Sequence, residues 1–205
     1  MCGVDEAGRG PIIGPLVMAA VAVSDDSQIP VGVADSKTLS PARREELYEQ
    51  IILLPHEVAV VSAGEVDVAV EQGGLNWLEA DHTVQLLLAL NPETAVLDCP
   101  SRNLQAYAEY VRERVPGVEV HAQFKADEEH LCVAAASIVA KVVRDRLVAE
   151  LREVAGFDFG SGYLTDPKTQ AFLHEHFDKG FVGWRRSWKP YKKRVADVAQ
   201  KRLNL

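Results

Sequence analysis

Apolar and polar positions alternate in a way that predicts strands and helices interleaved along the whole chain. Two apolar segments, 2–5 and 12–23, flank a glycine-rich turn and predict a hairpin that starts a sheet. β-branched or alternating segments predict further strands at 58–62, 94–97 and 118–124. Helical spacing predicts helices over 41–54, 77–90, 101–115 and 128–154, with two more beginning near residues 166 and 190. This order favours a mixed sheet flanked by helices over a purely parallel one.

Short polar signals mark where several of these helices begin. Ser40 and Asp166 are each followed by proline, which is favoured at the first helical position. Asn76 and Glu79 have the spacing of an N-cap residue and its partner three positions later. The helices at 41–54 and 77–90, and the one after residue 166, are therefore predicted from their caps as well as from their periodicity.

Charge is divided unevenly between the two ends of the chain. The 205 residues, 47% of them hydrophobic, are enough for one substantial core, and their formal net charge is −8. The segment from Lys179 to the C-terminus contains nine Lys and Arg residues and one acid, Asp197. This tail therefore carries a charge of +8 and the rest of the chain −16. Such a tail is typical either of an arm that binds phosphates or of a solvated basic helix, and charge alone favours neither.

The apolar run 12–23 is too short for a membrane span and is broken by Gly14 and Pro15, so we expect a soluble, cytoplasmic protein. Cys2, Cys99 and Cys132 lack CxxC spacing and are odd in number. They are therefore predicted to be small buried residues rather than disulfide partners or zinc ligands.

Acidic residues follow three of the predicted strands. Asp5 and Glu6 close the first strand, Asp98 closes the strand at 94–97, and Asp127 follows the strand that ends at Phe124. Neighbouring residues on a strand face opposite sides, so Asp5 and Glu6 can serve one site only if the strand ends or bends there. Gathered carboxylates repel one another unless a divalent cation neutralises them, and oxygen ligands favour Mg²⁺ or Mn²⁺. An alternative is that Asp127 simply caps the helix that follows it.

A polar face is predicted on the helix at 128–154. Ser137, Lys141 and Arg144 are spaced i, i+4 and i+7, which places them on one side of that helix. The face suits phosphate binding, although a solvated polar face has the same pattern.

The motifs, taken in order, resemble those of one enzyme family. The run DEAGRGP at 5–11, followed by GPLV at 14–17, resembles the signature of type 2 ribonucleases H. Further similar runs follow in sequence: DSK at 35–37, LD at 97–98, KAD at 125–127, AASIVAKVVRD at 135–145 and GSGY at 160–163. DPKT at 166–169 and SW at 187–188 resemble archaeal members most.

This resemblance implies an α/β fold in which an RNase H-like core, 1–155, has a mixed five-stranded sheet. Residues 156–205 would form a C-terminal helical extension that binds substrate within the same compact unit. The implied activity is endonucleolytic: cutting the RNA strand of RNA/DNA hybrids, and cutting 5′ of single ribonucleotides in duplex DNA, to leave 3′-hydroxyl and 5′-phosphate ends.

The resemblance also assigns roles to residues. It implies that two Mg²⁺ or Mn²⁺ ions bind the four acids Asp5, Glu6, Asp98 and Asp127. Substrate would be bound by the Gly8, Arg9 and Gly10 turn at the ribonucleotide junction, by Tyr163 at the ribose, and by Lys37, Ser137, Lys141 and Arg144 at phosphates. Glycines suit such a turn because they let backbone amides approach a 2′-hydroxyl closely.

Other classes of function share parts of this pattern. A non-catalytic nucleic-acid-binding module could keep the fold, but all four expected acids are present. A type 1 ribonuclease H or a junction resolvase would use similar chemistry on the same fold. The C-terminal QKRLNL at 200–205 resembles the beginning of a sliding-clamp-binding peptide without its aromatic pair. We expect a monomer, with no membrane partner.

Overall fold

The structure is a computed structural model that describes residues 1–33 and 38–203, with side chains up to Gln200. Its strands are β1 (Cys2–Ala7), β2 (Leu16–Ala22), β3 (His56–Val61), β4 (Thr94–Asp98) and β5 (Glu119–Gln123). Its α-helices are α1 (Pro41–Ile51), α2 (Ala63–Glu71), α3 (Leu75–Leu90), α4 (Leu104–Arg112), α5 (Ala126–Glu129), α6 (Leu131–Ala155), α7 (Pro167–His176) and α8 (Lys189–Leu203). Lys37, a predicted phosphate ligand, lies outside the described residues together with Asp35 and Ser36.

The five strands form one sheet in the order β3-β2-β1-β4-β5. β1 and β2 pair antiparallel, from Cys2 opposite Ala22 to Ala7 opposite Val17, which confirms the predicted hairpin. β1 with β4 and β4 with β5 pair in parallel, so the sheet is mixed as predicted.

Three predicted helix beginnings are confirmed by their caps or first residues. Ser40 accepts a hydrogen bond from the Arg43 backbone N–H and Asp166 accepts one from the Lys168 N–H, each with proline at the start of the helix. The last helix, α8, begins at Lys189, one residue before Pro190. These signals act within one turn of chain, which is why the sequence alone suffices to place them.

Other predicted helix boundaries were wrong. Asn76 lies inside α3 rather than capping it, and its side-chain amide donates to the Ser101 hydroxyl. α4 begins after Asn103, whose side chain caps it, not at Ser101. α2 was not predicted, although Ser62 and Glu65 form a complete capping box at its start. The SAGE run at 62–65 was the overlooked signal, since serine followed three residues later by glutamate is typical of a helix beginning.

The described chain divides into two compact units. Unit 1 contains residues 1–7, 17–60 and 75–144, and unit 2 contains 8–16, 61–74 and 145–205. The last segment of unit 2 starts within α6. The division into a core, 1–155, and a substrate-binding extension, 156–205, stays a prediction.

Each unit has its own buried apolar residues. In unit 1 the strands β1, β2 and β4 and the first turns of α6 are almost entirely buried. Cys2, Cys99 and Cys132 are free and buried, as predicted, and burial raises the pKa of the Cys2 and Cys99 thiols to about 12 and about 11. In unit 2 an aromatic cluster centres on Phe159, Phe172 and Trp184.

Within the described residues, no helix combines the length and the apolar character that crossing a bilayer requires.

Candidate active site

Two of the predicted acids are brought together by strand register in unit 1. β1 and β4 run parallel with Val4 opposite Leu97, and Asp5 and Asp98 are the next residues along each strand. Because parallel strands point their carboxyl ends the same way, both carboxylates lie at the same edge of the sheet. Asp98 also pairs with Gln123 of β5, which fixes the end of its strand.

The third acid, Asp127, reaches the same place through a tight turn after β5. Lys125 has a left-handed backbone conformation with φ 57°, which is unfavourable for a residue with a side chain and redirects the chain into α5. The Ala126 N–H then donates to Asp98 Oδ1 at 3.4 Å. Asp127 lies within the first turn of α5 and is buried, so the alternative that it caps a helix beginning at Glu128 is wrong.

Asp5, Asp98 and Asp127 form a compact cluster. Each offers one carboxylate oxygen, and the three oxygens lie within 4.8 Å of one another. Asp5 and Asp127 are only 6% and 5% exposed. A cluster of this kind, with oxygen donors and three formal charges in a buried setting, fits a hard divalent cation such as Mg²⁺ or Mn²⁺.

The helix α6 supplies polar partners for Asp5 because a glycine lets it approach the sheet. A side chain at Gly3 would overlap the Cys132 and Val133 backbone, with contacts as short as 2.2 Å to an added Cβ. Asp5 lies two residues after Gly3 on β1, and Ser137 lies about one helical turn after this contact on α6. There the Ser137 hydroxyl donates to the Asp5 carboxylate. Lys141 donates in turn to the Ser137 hydroxyl.

The electrostatic consequence is a carboxyl group that resists ionisation. Burial is the main cause that raises the pKa of Asp5 from 3.8 to about 7, and the neighbouring Asp98 charge raises it further. The Ser137 hydrogen bond, Lys141 and the Glu6 backbone N–H, which donates to Asp5 Oδ1 at 2.7 Å, oppose that rise. A bound cation would remove the repulsion that these groups only partly offset.

Glu6, the fourth predicted acid, is not part of this three-residue cluster. It follows Asp5 on β1, so its side chain begins on the other face of the strand. Burial is the main cause that raises the pKa of Cys99, and the charges of Glu6 and Asp98 both add to that rise, so both carboxylates lie near this thiol. Its role as a metal ligand stays a prediction.

The predicted phosphate-binding residues of α6 differ in exposure. Ser137 is completely buried, Lys141 is half-buried, and Arg144 is only 4% exposed. Ser137 and Lys141 form a chain of hydrogen bonds that ends on Asp5, so both have a role within the protein. Phosphate binding by these two residues and by Arg144 stays a prediction.

Unit 2 carries the predicted ribonucleotide-binding residues. Gly8 has φ 88°, a conformation that requires glycine, and Gly10 is exposed. The Tyr163 ring lies beside Gly10, with Cε1 3.7 Å from where a Cβ on that glycine would be. The preceding residue, Gly162, accepts hydrogen bonds from the Ile12 and Ile13 N–H groups at 2.9 and 3.3 Å, which holds Tyr163 next to the turn.

Sequence reasoning missed the contribution of the tail to this turn. Arg185 was counted only as one of nine basic residues, but it is fully buried and its guanidinium donates to the backbone of the 8–14 segment. A double arginine followed by serine and tryptophan gives no local signal for such a contact, since the partners are more than 170 residues apart.

Comparison with known proteins agrees with this geometry. The family model described as Ribonuclease HII matches residues 2–191. Ribonuclease HII of Thermococcus sibiricus is 40% identical, covering 98% of this chain and 93% of its own. The structure of the PCNA:RNase HII complex from Archaeoglobus fulgidus aligns with TM-score 0.86 and 41% identity, covering 94% of this chain and 95% of that one. Bst-RNase HIII in complex with Mn²⁺ aligns with TM-score 0.77 and 26% identity, covering 97% and 70%.

These matches confirm the RNase H-like fold and the archaeal character expected from the motifs after residue 160. They also decide between the classes of function that the sequence left open, since the match is to ribonuclease HII enzymes and extends over nearly the whole chain. The chain belongs to the ribonuclease HII family, metal-dependent endonucleases that act on the RNA of RNA/DNA hybrids.

Proposed function

We propose that this enzyme cuts both the RNA strand of RNA/DNA hybrids and the phosphodiester 5′ of single ribonucleotides embedded in duplex DNA, leaving 3′-hydroxyl and 5′-phosphate ends. The acids Asp5, Glu6, Asp98 and Asp127 would hold two Mg²⁺ or Mn²⁺ ions. The observation that carries the proposal is the buried cluster of three aspartates whose oxygens lie within 4.8 Å of one another.

Two divalent ions, when bound, supply activation of the attacking water and stabilisation of the leaving oxygen. The chain's own contribution is to hold the carboxylates at one edge of the sheet, through the parallel register of β1 and β4 and the left-handed turn at Lys125. Asp5 is further oriented by the Ser137 hydroxyl and the Glu6 N–H. These contacts fix the acids before any ligand arrives, which is what a positioned reaction requires.

Lys141 has a place in this arrangement that suits a phosphate ligand. It is half-buried and its ammonium group donates to Ser137, next to Asp5. A positive charge at that position would attract the backbone phosphate of a bound strand while moderating the negative charge of the acids.

Recognition of the ribonucleotide is proposed for the Gly8–Gly10 turn and Tyr163 in unit 2. The exposed Gly10 lets backbone amides approach a ligand closely, and the Tyr163 ring, 37% exposed, stands beside it. Backbone N–H groups can pair with a 2′-hydroxyl, and that hydroxyl is the group that distinguishes RNA from DNA.

Two substrates test the proposal: a long RNA/DNA hybrid and a DNA duplex with one ribonucleotide, each with Mg²⁺, Mn²⁺ or EDTA, with product ends mapped. We expect cutting of both with either metal, none in EDTA, and 5′-phosphate ends. Asp98→Asn should remove cleavage, whereas Asp178→Asn, at an exposed aspartate outside the cluster, should retain it. Cleavage of the long hybrid alone would overturn the single-ribonucleotide activity, and full activity of Asp98→Asn would overturn the metal site.

Recruitment by a sliding clamp is a further part of the proposal, since the Archaeoglobus fulgidus relative has been solved as a complex with PCNA. In this chain the candidate segment is 200–205, of which only the Gln200 side chain is described. Removal of that segment should abolish co-migration with the clamp, and unchanged co-migration would exclude this segment as the binding site.

A further inference from the structure

We propose that Arg185 is a positioning residue that holds the Gly8–Gly10 turn with the amide N–H groups of Arg9 and Gly10 presented to the 2′-hydroxyl of the substrate. This inference rests on the proposed recognition of the ribonucleotide by that turn, and it concerns residues of unit 2 alone.

Arg185 is 0% exposed, and all three of its guanidinium nitrogens are directed at backbone carbonyls. Nη2 donates to Gly8 O at 2.5 Å, Nη1 to Arg9 O at 2.8 Å, and Nε to Gly14 O at 3.0 Å. Charge-assisted hydrogen bonds are stronger than neutral ones, and the planar guanidinium fixes the relative directions of its donors. One side chain therefore determines the orientation of two successive peptide groups in the turn.

A second side chain extends this hold by one residue. Trp188 Nε1 donates to Gly10 O at 3.2 Å, and the Arg185 guanidinium lies over the Trp188 ring at 5.1 Å from its centroid. The carbonyls of Gly8, Arg9 and Gly10 are thus all bound by the segment 185–188.

The orientation of the carbonyls determines that of the amides. In a trans peptide the C=O and the following N–H point in opposite directions, and the described residues contain no cis peptide bond. With the Gly8 and Arg9 carbonyls directed at the guanidinium, the N–H groups of Arg9 and Gly10 must point away from it. The half-buried Arg9 and the exposed Gly10 are where a ligand could reach them.

The segment that carries Arg185 is itself anchored. The Asp67 carboxylate of α2 accepts hydrogen bonds from the Arg186 and Ser187 N–H groups, both at 2.8 Å, and from the Ser187 hydroxyl at 2.5 Å. The Arg185 N–H donates to Ile12 O at 2.9 Å, so the segment also pairs with the chain that follows the turn. These contacts keep the guanidinium in register with its three carbonyls.

The test compares Kd in EDTA for a DNA duplex and for the same duplex with one ribonucleotide, in the wild type, Arg185→Lys and Trp188→Phe. Lysine keeps the charge but not the fork of donors, and phenylalanine keeps a ring but loses the Nε1 donor. Arg194→Lys is the matched control, since Arg194 donates to a backbone carbonyl, His174 O, outside the turn. All four proteins are first checked by thermal unfolding.

We expect the wild type and Arg194→Lys to prefer the ribonucleotide duplex by about fivefold or more, the value of one hydroxyl hydrogen bond. In Arg185→Lys and Trp188→Phe the ratio of the two Kd values should fall towards one, while the Kd for the all-deoxy duplex stays unchanged. An unchanged preference, or an equal weakening on both duplexes, would overturn the positioning role. If Arg185→Lys does not fold, the result for Trp188→Phe alone decides whether the positioning role holds. A wild type without preference would overturn the proposed junction recognition itself, and the inference with it.

Discussion

Replacing Asp5 by asparagine should stabilise the metal-free protein and abolish its cleavage activity. Asp5 is a buried member of the cluster, and burial is the main cause that raises its pKa from 3.8 to about 7. Each tenfold change in an acid dissociation constant corresponds to about 1.4 kcal/mol, so ionised Asp5 opposes folding by at most about 4 kcal/mol. That rise already includes the attraction to Lys141. Because charges even at buried sites are screened as if by an effective dielectric constant of ~20, we expect a smaller gain, about 2 kcal/mol.

The sign of the effect sets its pH dependence. A carboxyl group whose pKa is higher in the folded state binds more protons there, so its contribution is favourable below pH 4 and is lost as the pH rises towards 7. Asp5→Asn and the wild type should therefore be equally stable near pH 4, and the variant should be more stable above pH 7. For a protein of this size, 2 kcal/mol corresponds to an increase in Tm of about 4 to 8 °C.

The assay is thermal unfolding in EDTA from pH 4 to pH 8, repeated with Mg²⁺. Added metal should stabilise the wild type and not the variant, because only a protein that binds the ion in its folded form gains stability from it. Asp25→Asn is the control, since hydrogen bonds from Ser27 lower the pKa of that exposed carboxyl and its replacement should not stabilise the protein. The electrostatic argument would be refuted if Asp5→Asn were less stable than the wild type at pH 8, or if the difference in stability did not depend on pH. Cleavage by Asp5→Asn at the wild-type rate would refute the metal site.

Three further changes test other parts of the molecule. Tyr163→Ala should reduce cleavage of a single-ribonucleotide duplex about tenfold or more, and of a long hybrid less, because the hybrid offers many registers; equal losses would return Tyr163 to a packing role. Lys192 and Lys193 are both exposed on α8, and replacing both with alanine should weaken binding to every nucleic-acid sequence. The slope of log affinity against log salt concentration should fall by roughly 1 to 2, and an unchanged slope would mean that the two lysines have only a structural role. Gly162→Ala should cost about 2 kcal/mol or more in urea unfolding, since its φ is 82° and its Cβ would lie 2.6 Å from Ile13 O. Gly156→Ala, with open space around it, should cost only about 1 kcal/mol, and equal losses would contradict the steric argument.

Much of the site could be anticipated from the sequence because two of its acids come directly after buried apolar residues of strands. The apolar runs before Asp5 and Asp98 predict strands, and parallel strands bring their carboxyl ends to one edge. The cluster of Asp5, Asp98 and Asp127 confirms that they meet. Asp127 itself was ambiguous, since it could have capped a helix beginning at Glu128; the left-handed turn at Lys125 instead starts the helix at Ala126, two residues earlier.

The sequence by itself determined the five strands, three of the helix beginnings and the positions of the three clustered aspartates, because strand periodicity and helix caps depend on residues within about one turn of each other. Tertiary structure alone decided that Ser137 and Lys141 serve Asp5, since Gly3 must first let α6 approach β1. Tertiary structure also decided that Arg185 is buried and donates hydrogen bonds to the turn at Gly8, rather than being part of a solvated basic tail. The physical reason is common to both: burial and long-range hydrogen bonding depend on which surfaces meet, and a count of charges along the chain carries no information on that.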